Sequence, residues 1–94
     1  MSNPAGITEL GATGSIGVNT LDVVARHPDM FRVVALTANR SVDKLAEQCL
    51  RFRPAFAAMV DADAAQQLAD RLRQAAPEVQ VLHGTAGLVQ VAGL

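Results

Sequence analysis

Gly6-Ile7-Thr8-Glu9-Leu10-Gly11-Ala12-Thr13-Gly14-Ser15-Ile16-Gly17 is the stretch on which the fold turns. Residues 6–10 read as a strand. Gly11, Gly14 and Gly17 follow as Gly-x-x-Gly-x-x-Gly. From Ser15 to Arg26, Ile16, Leu21, Val24 and Ala25 approximate one apolar stripe at helical spacing. A strand, a glycine turn and a helix in that order make a setting for a bound diphosphate. A helix N-terminus offers unpaired N–H groups and a partial positive charge. Glycine at Gly11 permits the tight turn, at Gly14 lets backbone approach phosphate, and at Gly17 lets the helix pack on the sheet. Thr13 and Ser15 add hydroxyl donors. Val18 follows Gly17, and no Gly-Lys-Ser/Thr occurs, so a Walker-type nucleotide triphosphatase is not expected.

Outward from that turn, strands and helices alternate. His27-Pro28 ends the first helix, because a residue before proline is pushed out of helical geometry. Residues 31–36 (Phe-Arg-Val-Val-Ala-Leu) are apolar and β-branched and read as a second strand. Thr37-Ala38-Asn39-Arg40 reads as the loop after it. Ser41 is the expected N-cap of a helix over 42–52, with Val42, Leu45, Ala46 and Cys49 on its inner face. Residues 56–60 form a third strand. Asp61 or Asp63 caps a helix over 64–76, whose inner face is Ala65, Leu68, Ala69 and Leu72. Residues 79–82 form a fourth strand, and 85–92 start a fourth helix. The alternation predicts a parallel α/β sheet with helices on both faces. Right-handed crossovers place the second strand beside the first, with the sheet expected to reverse direction between the first and fourth strands. Ala92-Gly93-Leu94 falls part-way through a βα unit, so the chain is expected to be an N-terminal fragment and not a complete protein.

Composition narrows the function. The chain has 94 residues, 50% of them hydrophobic and 18% charged, which suits one globular domain. A net charge of −1 argues against a nucleic-acid partner. A single cysteine makes no internal disulfide. No apolar run approaches the ~20 residues of a membrane span, and residues 1–5 lack the character of a signal peptide. A cytoplasmic protein without nucleic-acid or membrane partners is the expectation.

The loop after the second strand sets the choice of dinucleotide. NAD-using folds commonly carry an acid there to bond the ribose 2′-OH. Thr37-Ala38-Asn39-Arg40-Ser41 has none, while Arg40 can bond a 2′-phosphate and Ser41 can donate to it. The pattern favours NADPH over NADH. Elsewhere Cys49 reads as a core residue, His83 as structural or solvated, and Arg51, Arg53, Arg71 and Arg73 as solvated. No nucleophile–base constellation is visible, so no catalytic residue and no metal ligand is assigned.

Leu10-Gly11-Ala12-Thr13-Gly14-Ser15-Ile16-Gly17, Thr20-Leu21-Asp22-Val23-Val24, the second strand, and Glu47-Gln48-Cys49 before Arg53-Pro54 together resemble the start of the 1-deoxy-D-xylulose 5-phosphate reductoisomerases. The likeness runs from Ile7 to about Val91. It implies a Rossmann-like NADPH-binding domain, followed in the family by a catalytic and a helical domain, in a homodimer. It implies an enzyme that rearranges and reduces the sugar phosphate 1-deoxy-D-xylulose 5-phosphate to 2-C-methyl-D-erythritol 4-phosphate in isoprenoid biosynthesis. NADPH and Mg²⁺, Mn²⁺ or Co²⁺ are the cofactors so implied. By position, the family's cofactor contacts fall on Thr13, Gly14, Ser15 and Ile16 in the turn and on Asn39, Arg40 and Ser41 in the loop. The family's metal ligands and substrate-phosphate site lie later in its chain, so this chain alone is expected to be inactive. Two departures stand out. Asn39 and Ser41 replace a Gly and an Asn of the family loop, and Glu9 replaces an apolar strand residue.

Two other readings stay open on the residues alone. One is another NADP enzyme with the same glycine spacing, such as a semialdehyde dehydrogenase or an epimerase-type short-chain reductase. The other is a non-catalytic nucleotide-shaped module.

Overall fold

The structure, a computed structural model, describes residues 5–93. The first four residues, read above for signal-peptide character, lie outside it together with Leu94. Eight elements alternate: β1 (Ala5–Glu9), α1 (Ser15–Arg26), β2 (Phe31–Ala38), α2 (Val42–Phe52), β3 (Phe56–Met59), α3 (Ala62–Ala75), β4 (Gln80–His83) and α4 (Gly84–Ala92). The four strands are all parallel, so the Rossmann-like α/β architecture expected from the alternation is the one observed.

The strand order departs from expectation. It is β1-β2-β3-β4, and β4 pairs with β3 instead of lying across β1. Each crossover steps the same way, so no reversal falls within the described strands. The packing records this. Leu21 and Val24 of α1, Leu45, Ala46 and Cys49 of α2, and Leu68 and Leu72 of α3 share one core with Val33, Leu36, Ala57 and Met59 of the sheet. Helix α4 covers the opposite face, where Val91 and Leu88 meet Ala35, Phe56, Ala58 and Leu82. Helices therefore lie on both faces, three against one.

Strand β3 shows the period of two directly: Ala57 and Met59 face the larger core, Phe56 and Ala58 the smaller. In β2 the period is broken by design of the pairing. Ile7 pairs with Val33 but Thr8 pairs with Ala35, so Val34 is an extra residue. That shift lets Phe31 and Val33 before it, and Leu36 and Ala38 after it, reach the same core.

Strand β2 is longer than its apolar run. Thr37 and Ala38, expected in the loop, continue the ladder opposite Ala58 and Met59. Backbone pairing outlasts the hydrophobic signal there because Thr37, though polar, is buried and has a partner inside. Ile16 fails its place in the α1 stripe: it is 82% exposed at the first turn, before the helix reaches the sheet. Asp61 does cap α3, its carboxylate accepting from the N–H groups of Asp63 and Ala64. Ser41 stands at the cap position of α2 but makes no side-chain cap bond.

Candidate dinucleotide site at the strand ends

The glycine turn bridges β1 and α1 at the carboxyl edge of the sheet. Gly11 has φ of 70°, a left-handed conformation open to glycine, and its amide N–H donates to Thr37 Oγ1 at 2.9 Å. Ala12 N–H donates to the Thr37 carbonyl at 2.8 Å. The buried Thr37 therefore anchors the turn to β2. Gly17 packs so closely that a Cβ there would lie 2.3 Å from Gly11 O and 2.8 Å from Ala12 Cα, both backbone. Only glycine lets α1 start this close to the strand end.

Gly14 is different. It stands at the α1 N-cap in an extended conformation, with φ of −76°, and a Cβ there would meet only Gly11 O, at 3.5 Å. Nothing inside the protein requires glycine at that point. The bare backbone is presented outward instead. No side chain caps α1, and its first turn carries no acid. The first N–H groups of the helix thus remain available to an anion.

The turn opens on a cleft of about 560 Å³. Leu10, Gly11, Thr13 and Gly14 form one side, Thr37, Ala38, Asn39 and Ser41 the second, and Thr85, Leu88 and Val89 of α4 the third. The lining is chiefly apolar with a few polar groups, as small-molecule sites commonly are. Of the residues named from sequence, Thr13, Gly14, Asn39 and Ser41 come together here. Ser15 and Ile16 lie exposed at the mouth of α1, outside the lining.

Arg40 lines an adjoining cleft with Ser41, Asp43, Lys44 and Gln67. Its side chain is 84% exposed, and Asp61 Oδ2 stands 4.0 Å from its Nε. Lys44, in the first turn of α2, forms no ion pair among the described residues. In the sequence it is legible only as a cation four positions after Arg40. Thr37 carries no such signal because it reads as loop beyond the apolar run of β2, and the α4 wall carries none because only the order of the later strands brings it to the turn.

The remaining polar residues fall outside this site. Cys49 is fully buried, and burial pushes its thiol up to about 12. Arg51, Arg53, Arg71 and Arg73 sit on the surface, each paired with an acid: Asp22, Glu78, Asp43 and Asp70 respectively. Arg53 also donates to Ala75 O, tying the end of α2 to the end of α3. No three His, Cys, Asp or Glu side chains gather to hold a metal ion among the described residues. No described helix is long and apolar enough to cross a membrane.

Comparison with known proteins agrees with this geometry. Residues 7–94 match the family described as 1-deoxy-D-xylulose 5-phosphate reductoisomerase. The reductoisomerase of Nitrosomonas europaea is 53% identical over 94 residues, which are all of this chain and 23% of that protein. The solved reductoisomerase of Zymomonas mobilis in complex with NADPH superposes with a TM-score of 0.89 at 40% identity, over 98% of this chain and 24% of that one. A second solved reductoisomerase, in complex with NADPH, fosmidomycin and magnesium, gives a TM-score of 0.86 at 36% identity, over 93% of this chain and 21% of that one. The chain thus spans less than a quarter of the length of each relative. A match across residues 7–94, joined to the same fold, places the chain in the 1-deoxy-D-xylulose 5-phosphate reductoisomerase family.

Proposed function

We propose that residues 1–94 are the N-terminal part of an NADPH-binding domain, and that the intact protein converts 1-deoxy-D-xylulose 5-phosphate to 2-C-methyl-D-erythritol 4-phosphate. The observation that carries the reading is the open backbone of Gly14 at the mouth of α1, beside a loop with a cation and no acid. The solved relatives that hold NADPH support it.

In this reading Thr13, Gly14, Ser15 and Ile16 hold the diphosphate through backbone N–H groups and the hydroxyls of Thr13 and Ser15. Ile16 takes part through its main chain, its side chain being exposed. Asn39, Arg40 and Ser41 take the adenosine ribose and its 2′-phosphate. Lys44 adds a second cation on the same side. Leu88 and Val89 give the cleft an apolar wall. NADPH, when bound, supplies the hydride for reduction. The divalent cation proposed for the intact enzyme (Mg²⁺, Mn²⁺ or Co²⁺) is assigned to no residue of this chain. The sugar-phosphate chemistry is likewise assigned to the remainder of the protein, and residues 1–94 alone are proposed to be inactive. A homodimer in the cytoplasm, without nucleic-acid or membrane partners, completes the proposal.

Calorimetric titration of the intact protein with NADPH and NADH tests it. NADPH is expected to bind more tightly, and Arg40→Ala is expected to remove about 10- to 100-fold of that preference, the worth of a charge-assisted contact. Equal affinity for the two dinucleotides, unchanged in Arg40→Ala, would reject the assignment of the loop.

A further inference from the structure

We propose that Gln48 is a positioning residue for the phosphate turn, acting from α2 on the peptide between Ala12 and Thr13. The inference rests on the NADPH reading above. Gln48 Nε2 donates to the Ala12 carbonyl at 2.8 Å, across 36 positions of sequence. A trans peptide is planar, with its C=O and N–H pointing opposite ways. Holding the Ala12 oxygen toward α2 therefore turns the Thr13 N–H away from α2. Thr13 lines the cleft together with Leu88 and Val89 of α4, the helix on the opposite face of the sheet from α2. Fixing one carbonyl thus aims one of the donors that meets the diphosphate.

The rest of the turn is braced from β2, by Thr37 on the amides of Gly11 and Ala12. Gln48 supplies the brace that β2 cannot reach. Its other amide atom, Oε1, is buried with no hydrogen-bond partner among the described residues. Such a group is a cost to the fold, and an apolar side chain would fill the space without it. The donor on Nε2 is what an apolar side chain could not replace. Helix α2 then serves both ends of the dinucleotide, with Ser41 and Lys44 at one end and Gln48 behind the turn.

The test uses Gln48→Met and Gln48→Glu in the intact protein, with NADPH and NADH titrated across pH and melting temperatures recorded. Gln48→Met should lose about tenfold in affinity for both dinucleotides, the worth of one buried hydrogen bond, and leave the preference between them unchanged. Gln48→Glu has no donor while ionised. On acidification its neutral carboxyl regains an O–H donor, and affinity should climb past that of Gln48→Met toward wild type. Lys44, Glu47 and Arg51 line the groove around Gln48, so each variant is compared with wild type at the same pH. Wild-type affinity in Gln48→Met, or a Gln48→Glu recovery that stops at the Gln48→Met level, would overturn the inference. The second result would mean that acid only relieves charge repulsion. If Gln48→Met melts below the assay temperature, the acid recovery of Gln48→Glu decides alone. A wild-type protein that binds neither dinucleotide would overturn the NADPH reading and this inference with it.

Discussion

Gly11, Gly14 and Gly17 answer three different demands, and the side-chain space at each separates them. Gly11 needs its left-handed φ, and Gly17 needs the missing Cβ. Gly17→Ala should destabilise the fold by about 1–3 kcal/mol, because the clash is with backbone that cannot swing aside; chemical denaturation reads this. Glu9 is a residue-scale oddity of another kind. It sits part-buried on β1, and burial raises its carboxyl above the usual range. A folded-state pKa above the unfolded one favours folding at low pH and loses that benefit as pH rises through it. Glu9→Gln should therefore raise the melting temperature at neutral pH, with the gain fading as pH falls below the ordinary glutamate range. A gain that persists undiminished in acid would contradict this account of Glu9.

At the scale of elements, helix ends show what sequence can and cannot fix. Asp61 and Ser41 are both good cap residues in position. Asp61 uses its carboxylate on two amides, whereas the hydroxyl of Ser41 is left free at the edge of the cleft. Residue type named both caps, and only the local backbone decided which side chain turned inward. Asp61→Ala should cost about 1 kcal/mol in urea unfolding through loss of the α3 cap. The helices were legible because proline and cap residues punctuate the chain, and α1 spans the expected Ser15–Arg26, whereas α3 starts at Ala62, two residues before the expected start, directly after its Asp61 cap. The C-terminal end of β2 was not, since Thr37 owes its place in the ladder to a hydrogen bond from Gly11, 26 positions away.

For the whole molecule, the alternation made a parallel α/β fold and the pairing of β2 with β1 legible, but not the place of β4. Handedness restricts each crossover without saying which edge of the sheet it extends. The place of the later strands hid the α4 wall, while the anchoring role of Thr37 and the reach of Gln48 stayed hidden because each is a single side-chain bond to a partner distant in sequence. The glycine turn and the Arg40 loop were legible because their residues are contiguous and their chemistry is local. Core placement was legible too: Cys49 read as a core residue and is fully buried. With its thiol pushed up to about 12, Cys49 should resist alkylation near neutral pH in the folded protein and label only on unfolding, which mass spectrometry can follow. The account's central claim is that Gly14 is glycine for the sake of a bound phosphate and not for the fold. Gly14→Ala in the intact protein, with melting temperature and NADPH affinity measured together, tests it most directly. The account predicts a stability loss of no more than about 1 kcal/mol, from the poorer cap, beside a loss of NADPH affinity on the order of tenfold or more. Undiminished NADPH binding in that variant would contradict it.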